Sequence, residues 1–148
     1  MIQSKKIEKW LNTEIGVDTS RLGPGLHNCT AAIQRVIDDC DINDGVCHVF
    51  VKHTSASLLI QENADPSARA DLEMYFEKIA PENDPDYTHT LEGPDDMPAH
   101  LRAALTNTSE TIPLVNGRLG LGTWQGLYLF EHRHRGSRRT LSISLLGA

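Results

Sequence analysis

Three histidines (His53, His89 and His100) and four carboxylates (Glu62, Asp65, Asp95 and Asp96) are the side chains whose types suit joint chemistry. Neutral imidazole and carboxylate are ligands for zinc and similar ions. A catalytic zinc commonly takes three protein ligands and leaves one position open. The same groups serve as general bases. The gaps between the histidines are long and follow no short ligand motif, so only the fold can bring them together. Asp65 and one of the Asp95–Asp96 pair have a second reading as helix caps, because a proline suited to a first helical turn follows each. Arg118, Arg133, Arg135, Arg138 and Arg139 can grip anionic oxygens through the guanidinium fork. Arg135, Arg138 and Arg139 read as a solvated hairpin tip. Arg118 follows a tight turn and precedes an apolar strand, which makes it the first phosphate-binding candidate. Trp124 can stack on a heteroaromatic ring or serve a core or interface. His132 and His134 are expected to be exposed.

The elements that must position these groups follow from the pattern. Residues 87–100, YTHTLEGPDDMPAH, contain a bent loop at 92–96, since glycine and proline break helix and strand alike. Asp95 or Asp96 ahead of Pro98 then starts a helix from Met97 to about Leu105, with Met97, Leu101 and Leu105 facing inward and His100 one turn in. Residues 45–54, GVCHVFVKHT, read as a buried strand. Side chains alternate, so His53 shares a face with Cys47, Val49 and Val51, where burial and a fixed partner are expected. In the strand 57–62, Glu62 shares a face with Leu58 and Ile60. A carboxylate at the end of an apolar row is paired, metal-bound or shifted in pKa, unless the strand surfaces there. Asp65-Pro66 opens a helix with Ala68, Leu72, Phe76 and Ile79 as its inward stripe.

Earlier in the chain, 2–10 and 13–18 suit two strands and 21–25 a turn. Ala32, Ile33, Val36 and Ile37 form one face of a helix capped by Asn28 or Thr30. Asn116-Gly117 signals a tight hairpin. Residues 123–131 alternate, 132–139 form a basic turn and 141–146 the last strand. Six to eight strands and three helices, joined by hairpins, predict an α+β single domain over 1–148 built largely on antiparallel sheet or sandwich.

Composition narrows the function classes. A chain of 148 residues with 39% apolar and 23% charged residues suits one soluble domain. A net charge of −6 argues against broad nucleic-acid binding. No apolar run approaches the ~20 residues that span a bilayer, and no signal-peptide core stands at the N-terminus. Three cysteines without CxxC spacing read as buried thiols in a reducing compartment, so the cytoplasm is the expected location.

HTSASLLIQENADP, YTHTLEGPDDMPAH and NGRLGLGTWQGLYLFEHR, in that order and spacing, resemble the YjbQ family of small bacterial and archaeal proteins. The resemblance covers nearly everything from Gly45 onward. It implies a single α+β domain, a homotrimer and a secondary thiamine-phosphate synthase activity. The family's polar motif falls first on His53, Thr54, Ser55, Glu62, Asn63 and Asp65. It continues on His89, Glu92, Asp95, Asp96 and His100, and ends on Asn116, Arg118, Thr123, Trp124, Gln125 and Glu131. Gln61 stands where members often have Asn. The turn holding His132 and Arg133 differs among members, so the resemblance gives these two no role.

The implied reaction joins a pyrimidine-methyl diphosphate to a thiazole phosphate, with diphosphate leaving. It calls for a divalent metal ion (Mg or Zn), an arginine and an aromatic wall. The expected metal ligands are His53, His89 and His100 with an acidic partner, Glu62 or Asp96. Glu62, His53 and His89 are the expected catalytic groups. Arg118 would hold phosphate and Trp124 the pyrimidine, with Ser55, Asn63, Thr123 and Gln125 lining the substrate site. A metal-dependent hydrolase and a non-catalytic metabolite-binding protein are the alternatives. Because site residues on one strand can lie far apart, trimerisation is part of this expectation.

Overall fold

The computed structural model describes residues 4–148. Its elements, in chain order, are β1 (Lys9–Asp18), β2 (Gly25–Asn28), α1 (Thr30–Asp38), β3 (Gly45–Val51), β4 (Ala56–Glu62) and α2 (Pro66–Ile79). They continue with α3 (Asp96–Leu105), β5 (Ser109–Val115), β6 (Arg118–Leu119), β7 (Gln125–Glu131) and β8 (Arg138–Gly147). The expected α+β architecture with largely antiparallel sheet is what forms. Every strand pair is antiparallel, in a five-stranded sheet ordered β1-β8-β3-β5-β6 and a three-stranded sheet ordered β2-β7-β4.

Alternation along the strands builds the core between the two sheets. Cys47, Val49 and Val51 of β3 and Leu141, Ile143 and Leu145 of β8 face Leu58 of β4 and Leu127 and Leu129 of β7. Ile33 and Ile37 of α1 complete this core. Each such side chain contributes about 1.5–3 kcal/mol through burial. The opposite face of the three-stranded sheet is covered by α2. Leu72 and Phe76 pack there on Leu26, Tyr128 and Phe130, with Phe76 edge-on to Phe130 at 5.3 Å. Both faces of β7 are therefore buried despite its alternating sequence.

Turn chemistry follows the sequence. Asn116 and Gly117 both adopt positive φ, 52° and 74°, between β5 and β6. Asp65 caps α2 by accepting from the Ser67 backbone N–H, with Pro66 first in the helix. At α1 the Asn28 side chain accepts from the Thr30 N–H, while Cys29 occupies the cap position.

Several expectations are corrected. The two predicted N-terminal strands are one continuous strand, β1, pairing with β8 over its whole length; residues 2 and 3 lie outside the described residues. β2 is a strand where only the end of a turn was read. Ile79 is exposed at the end of α2, and Leu105 is exposed on α3. The buried face of α3 carries Asp96, Pro98, Ala99 and Ala103 in place of Met97, Leu101 and Leu105. Small side chains suit a helix lying close against the start of β4. His132 is buried, as is Arg139, which pairs with the buried Glu131. The three cysteines are free thiols. Among the described residues no helix is long and apolar enough to cross a membrane.

Candidate metal centre and a second polar end

The first turn of α3 places Asp96 and His100 four residues apart, on one face of the helix. The bent loop ahead of α3 brings His89 back to the same point. Asp96 Oδ2 lies 2.6 Å from His89 Nε2 and 2.9 Å from His100 Nε2. One ligand atom from each of the three residues falls within 4.8 Å of the other two. Asp96 is buried, while His89 keeps an open side.

The remaining contacts orient this set. His100 Nδ1 stands 3.0 Å from the Thr54 carbonyl oxygen. That oxygen only accepts, so Nδ1 carries a proton and Nε2 is the atom left for a ligand role. Arg133 Nη1 donates to Asp96 Oδ1, leaving Oδ2 for the histidines. Arg133 Nε donates to Asp95 Oδ2 at 3.0 Å, and Nη2 donates to the Glu92 carbonyl at 3.0 Å. Burial pushes the Asp96 carboxyl up, but the hydrogen bond from His89 and the charges of His100 and Arg133 outweigh it and hold the group below the usual carboxylate range. Asp95 is held down in the same net direction, against burial, by the His134 backbone N–H and Arg133. Asp95 therefore serves Arg133, and its side chain makes no cap hydrogen bond to α3.

Two imidazole nitrogens and one carboxylate oxygen, with Thr54 behind His100 and Arg133 behind Asp96, fit a divalent cation. His53 does not join them. Its Nε2 accepts from the Thr140 backbone N–H at 2.8 Å, which ties the ring to β8. Burial, with Arg139 nearby, lowers the pKa of His53. Ser55 contributes its backbone carbonyl to the same region, accepting from Arg139 Nη2 at 3.3 Å.

The other predicted residues gather elsewhere. In the β4–β7 ladder, Ala56 pairs with Glu131 and Glu62 with Gln125. Thr54 and Arg133 extend one end of that ladder; Glu62 and Trp124 stand at the opposite end. Six residues of strand separate the ends by ~20 Å. At the far end, Glu62, Ala64, Asp65, Pro66 and Trp124 frame an open hollow of about 470 Å³. Glu62 Oε1 accepts from the Ala64 backbone N–H at 3.0 Å, and Trp124 is exposed. Arg118 lines a neighbouring cavity of about 480 Å³ with Asn28, Gln34, Asn63 and Gln125. Asn63 donates to the Thr123 and Gln125 carbonyls, and the Gln125 side chain accepts from Gly122 N–H, so part of their polarity is spent on the loop. Neither Glu62 nor Arg118 reaches the histidine cluster within one chain.

Arg133, offered by the sequence only as a grip for an anionic ligand, instead holds Asp95 and Asp96, a role sequence reasoning missed. The surplus of acids at 92–96 was a usable signal, because a carboxylate as buried as Asp96 requires a cation.

A family model described as UPF0047 protein YjbQ-like matches residues 13–148. A UPF0047 protein of Synechocystis is 54% identical over 125 residues, covering 84% of this chain and 85% of that protein. The YjbQ protein of Escherichia coli O157:H7 is 43% identical over 120 residues, covering 80% and 86%. Among solved structures, a Sulfolobus solfataricus protein described as YbjQ-like and of unknown function superposes with a TM-score of 0.84 at 25% identity, covering 95% of this chain and 99% of its own. A Clostridium acetobutylicum member of the yjbq/upf0047 family gives 0.80 at 33% identity, covering 90% and 98%.

Proposed function

The chain belongs to the YjbQ (UPF0047) family, and from that premise we propose that it is a metal-assisted enzyme acting on phosphorylated small molecules, with thiamine-phosphate formation as its reaction. One observation carries the metal part of the reading. His89 Nε2, His100 Nε2 and Asp96 Oδ2 converge, with His100 oriented by Thr54 and Asp96 by Arg133. Two imidazoles among three ligands favour zinc over magnesium, which prefers oxygen. The bound ion would supply positive charge for a departing diphosphate.

The chain's own residues do the rest. His89 and His100 hold the ligand geometry, and Arg133 keeps Asp96 ionised. Arg118 binds phosphate and Trp124 supplies an aromatic wall, with Glu62 and Asn63 beside it. The thiazole nitrogen is already a nucleophile, so positioning and charge stabilisation are the main demands. Because the two polar ends lie ~20 Å apart along β4, the reading includes assembly of copies, as a homotrimer in the cytoplasm.

A hydrolase reading draws on the open side of His89 and on Glu92 Oε2, 3.8 Å from His89 Nε2, a carboxylate that could serve as base toward an attacking water. Turnover separates the two readings. Purified protein incubated with the pyrimidine diphosphate and thiazole phosphate is expected to release thiamine phosphate and diphosphate, and His89→Ala is expected to abolish this. Release of diphosphate without the coupled product supports the hydrolase. No turnover with either substrate, in metal-loaded protein, counts against both.

A further inference from the structure

The loop ahead of α3 shapes a cavity of about 360 Å³ with His89 in its wall. Asp84, Tyr87, Thr90, Pro94 and Met97 line it as well. That volume lies at the lower end of the range for small-molecule sites and suits a single substituted ring. The Tyr87 wall is fixed from within the loop. Its hydroxyl donates to the Pro81 carbonyl at 2.9 Å, and its backbone N–H donates to the Asp84 carbonyl at 3.1 Å. Met97, the large apolar residue in the first turn of α3, is half-buried against this cavity and has no place in the core. A phenol ring and a polarisable thioether are surfaces on which a flat heteroaromatic ring packs well. The charge of the lining has one sign. Among the described residues no lysine or arginine lines the cavity. Arg133, near Gly93, is engaged by Asp95, Asp96 and the Glu92 carbonyl. Asp84 Oδ1 accepts from the Asp86 N–H at 2.9 Å, which leaves Oδ2 for a ligand's N–H.

We propose that this cavity is the ring subsite beside the His89–Asp96–His100 centre. It takes an amino-substituted heteroaromatic ring against Tyr87 and Met97, with the amino group on Asp84 and the anionic chain of the same molecule directed past His89 to the centre. The ring part rests on the cavity alone, while the placement of the chain rests on the metal reading. Charge fixes the orientation. A phosphate beside Asp84 meets a carboxylate and no cation, whereas an amino group there gains a charge-assisted hydrogen bond. The anionic end is favoured where His89, Asp96 and His100 hold an ion. A pyrimidine-methyl diphosphate with an amino group on its ring has these two ends. Its ring and its diphosphate are then both held within one chain. Arg118 and Trp124, which offer the positive charge that this cavity lacks, are left to the thiazole phosphate.

Methionine methyl resonances test this in the whole protein. Isotope-labelled methionine gives signals from Met1, Met74 and Met97, and Met97→Leu identifies the third. Aminopyrimidine and unsubstituted pyrimidine are titrated as bare rings. Both are expected to move the Met97 signal saturably and leave Met74 in place, with the amino ring binding more tightly. Asp84→Asn turns the free acceptor into a donor. It is expected to weaken the amino ring about tenfold, the usual contribution of a hydrogen bond to a charged group, and to leave pyrimidine unchanged. No saturable shift at Met97, or equal weakening of the two rings, overturns the subsite. The aminopyrimidine-methyl diphosphate is then titrated with and without zinc. Zinc is expected to tighten it and to leave the bare rings unaffected. No tightening in protein that holds zinc overturns the placement of the chain. Ring binding in protein that takes up no zinc leaves the ring subsite standing and removes the metal reading. Zinc uptake with the Met97 signal unmoved does the reverse, so the two failures are distinguishable.

Discussion

His100 is fixed between two elements. Its Nδ1 meets the Thr54 carbonyl at 3.0 Å, just ahead of β4, while its Nε2 points into the loop cluster at Asp96, 2.9 Å away. A backbone carbonyl behind a ring and a carboxylate ahead of it is the arrangement that presents a histidine to a metal in a single tautomer. The helix α3 thus delivers a ligand whose direction is set by the bend between β3 and β4, outside the helix. His100→Ala is expected to remove zinc binding at stoichiometric concentration while the far-ultraviolet circular dichroism stays unchanged. Retention of stoichiometric zinc would show that this ring is not a ligand.

Arg133 sits behind the carboxylates. It holds Asp96 by Oδ1 and Asp95 by Oδ2. Arg133→Met keeps the stem and removes the fork. The expected loss is ~10–100-fold in zinc affinity, the usual cost of removing a partner behind a ligand. Arg133→Lys is expected to restore only part, since an ammonium cannot hold two carboxylates as a planar fork does. Equilibrium titration against a chromogenic chelator measures both.

His53 makes a contrasting prediction. Its ring accepts from Thr140 N–H and lies outside the cluster. His53→Ala is therefore expected to leave zinc stoichiometry unchanged and to lower the melting temperature, because a β8 backbone donor loses its partner. Loss of zinc with unchanged stability would return His53 to the ligand set.

The buried Glu131–Arg139 pair ties β7 to β8, with the Thr19 hydroxyl donating to Glu131 at 2.5 Å. Burial raises the Glu131 pKa, but Arg139 and Thr19 outweigh it and the net shift is downward. Asp96 is also lowered. A carboxylate with a depressed folded pKa contributes stability above its unfolded value of about 4. That contribution is lost as pH falls through the folded value. Denaturant unfolding is expected to show stability falling from about pH 4 downward, more shallowly in an Asp96→Asn variant. Arg139→Met leaves Glu131 buried without its cation and is expected to cost about 3–5 kcal/mol.

Much of the scaffold was legible because its signals are local. Asn116-Gly117 demanded positive φ and has it; Asp65-Pro66 opened α2 as written. The apolar alternation of β3 gave the correct buried face. The inward face of α3 was not legible, because Met97, Leu101 and Leu105 are larger and more apolar than Ala99 and Ala103. Packing close to a strand edge favours the small residues, and the buried Asp96 is sustained only by partners distant in sequence. The basic turn misled for the same reason: Arg139 read as a solvated hairpin tip and His132 as exposed, yet Glu131 claims Arg139 and Ser57 meets His132. Asp96, His89 and His100 come from one loop and helix, and the structure does bring their ligand atoms together. His53 and Glu62 were drawn to them by residue type, and strand rise keeps Glu62 away.

Zinc content of untagged protein tests the account most directly, read together with anomalous diffraction at the zinc edge. The account predicts one ion per chain, bound by His89 Nε2, His100 Nε2 and Asp96 Oδ2 at about 2.0–2.2 Å. Crystals of zinc-supplemented protein with no anomalous peak at these three atoms would contradict it.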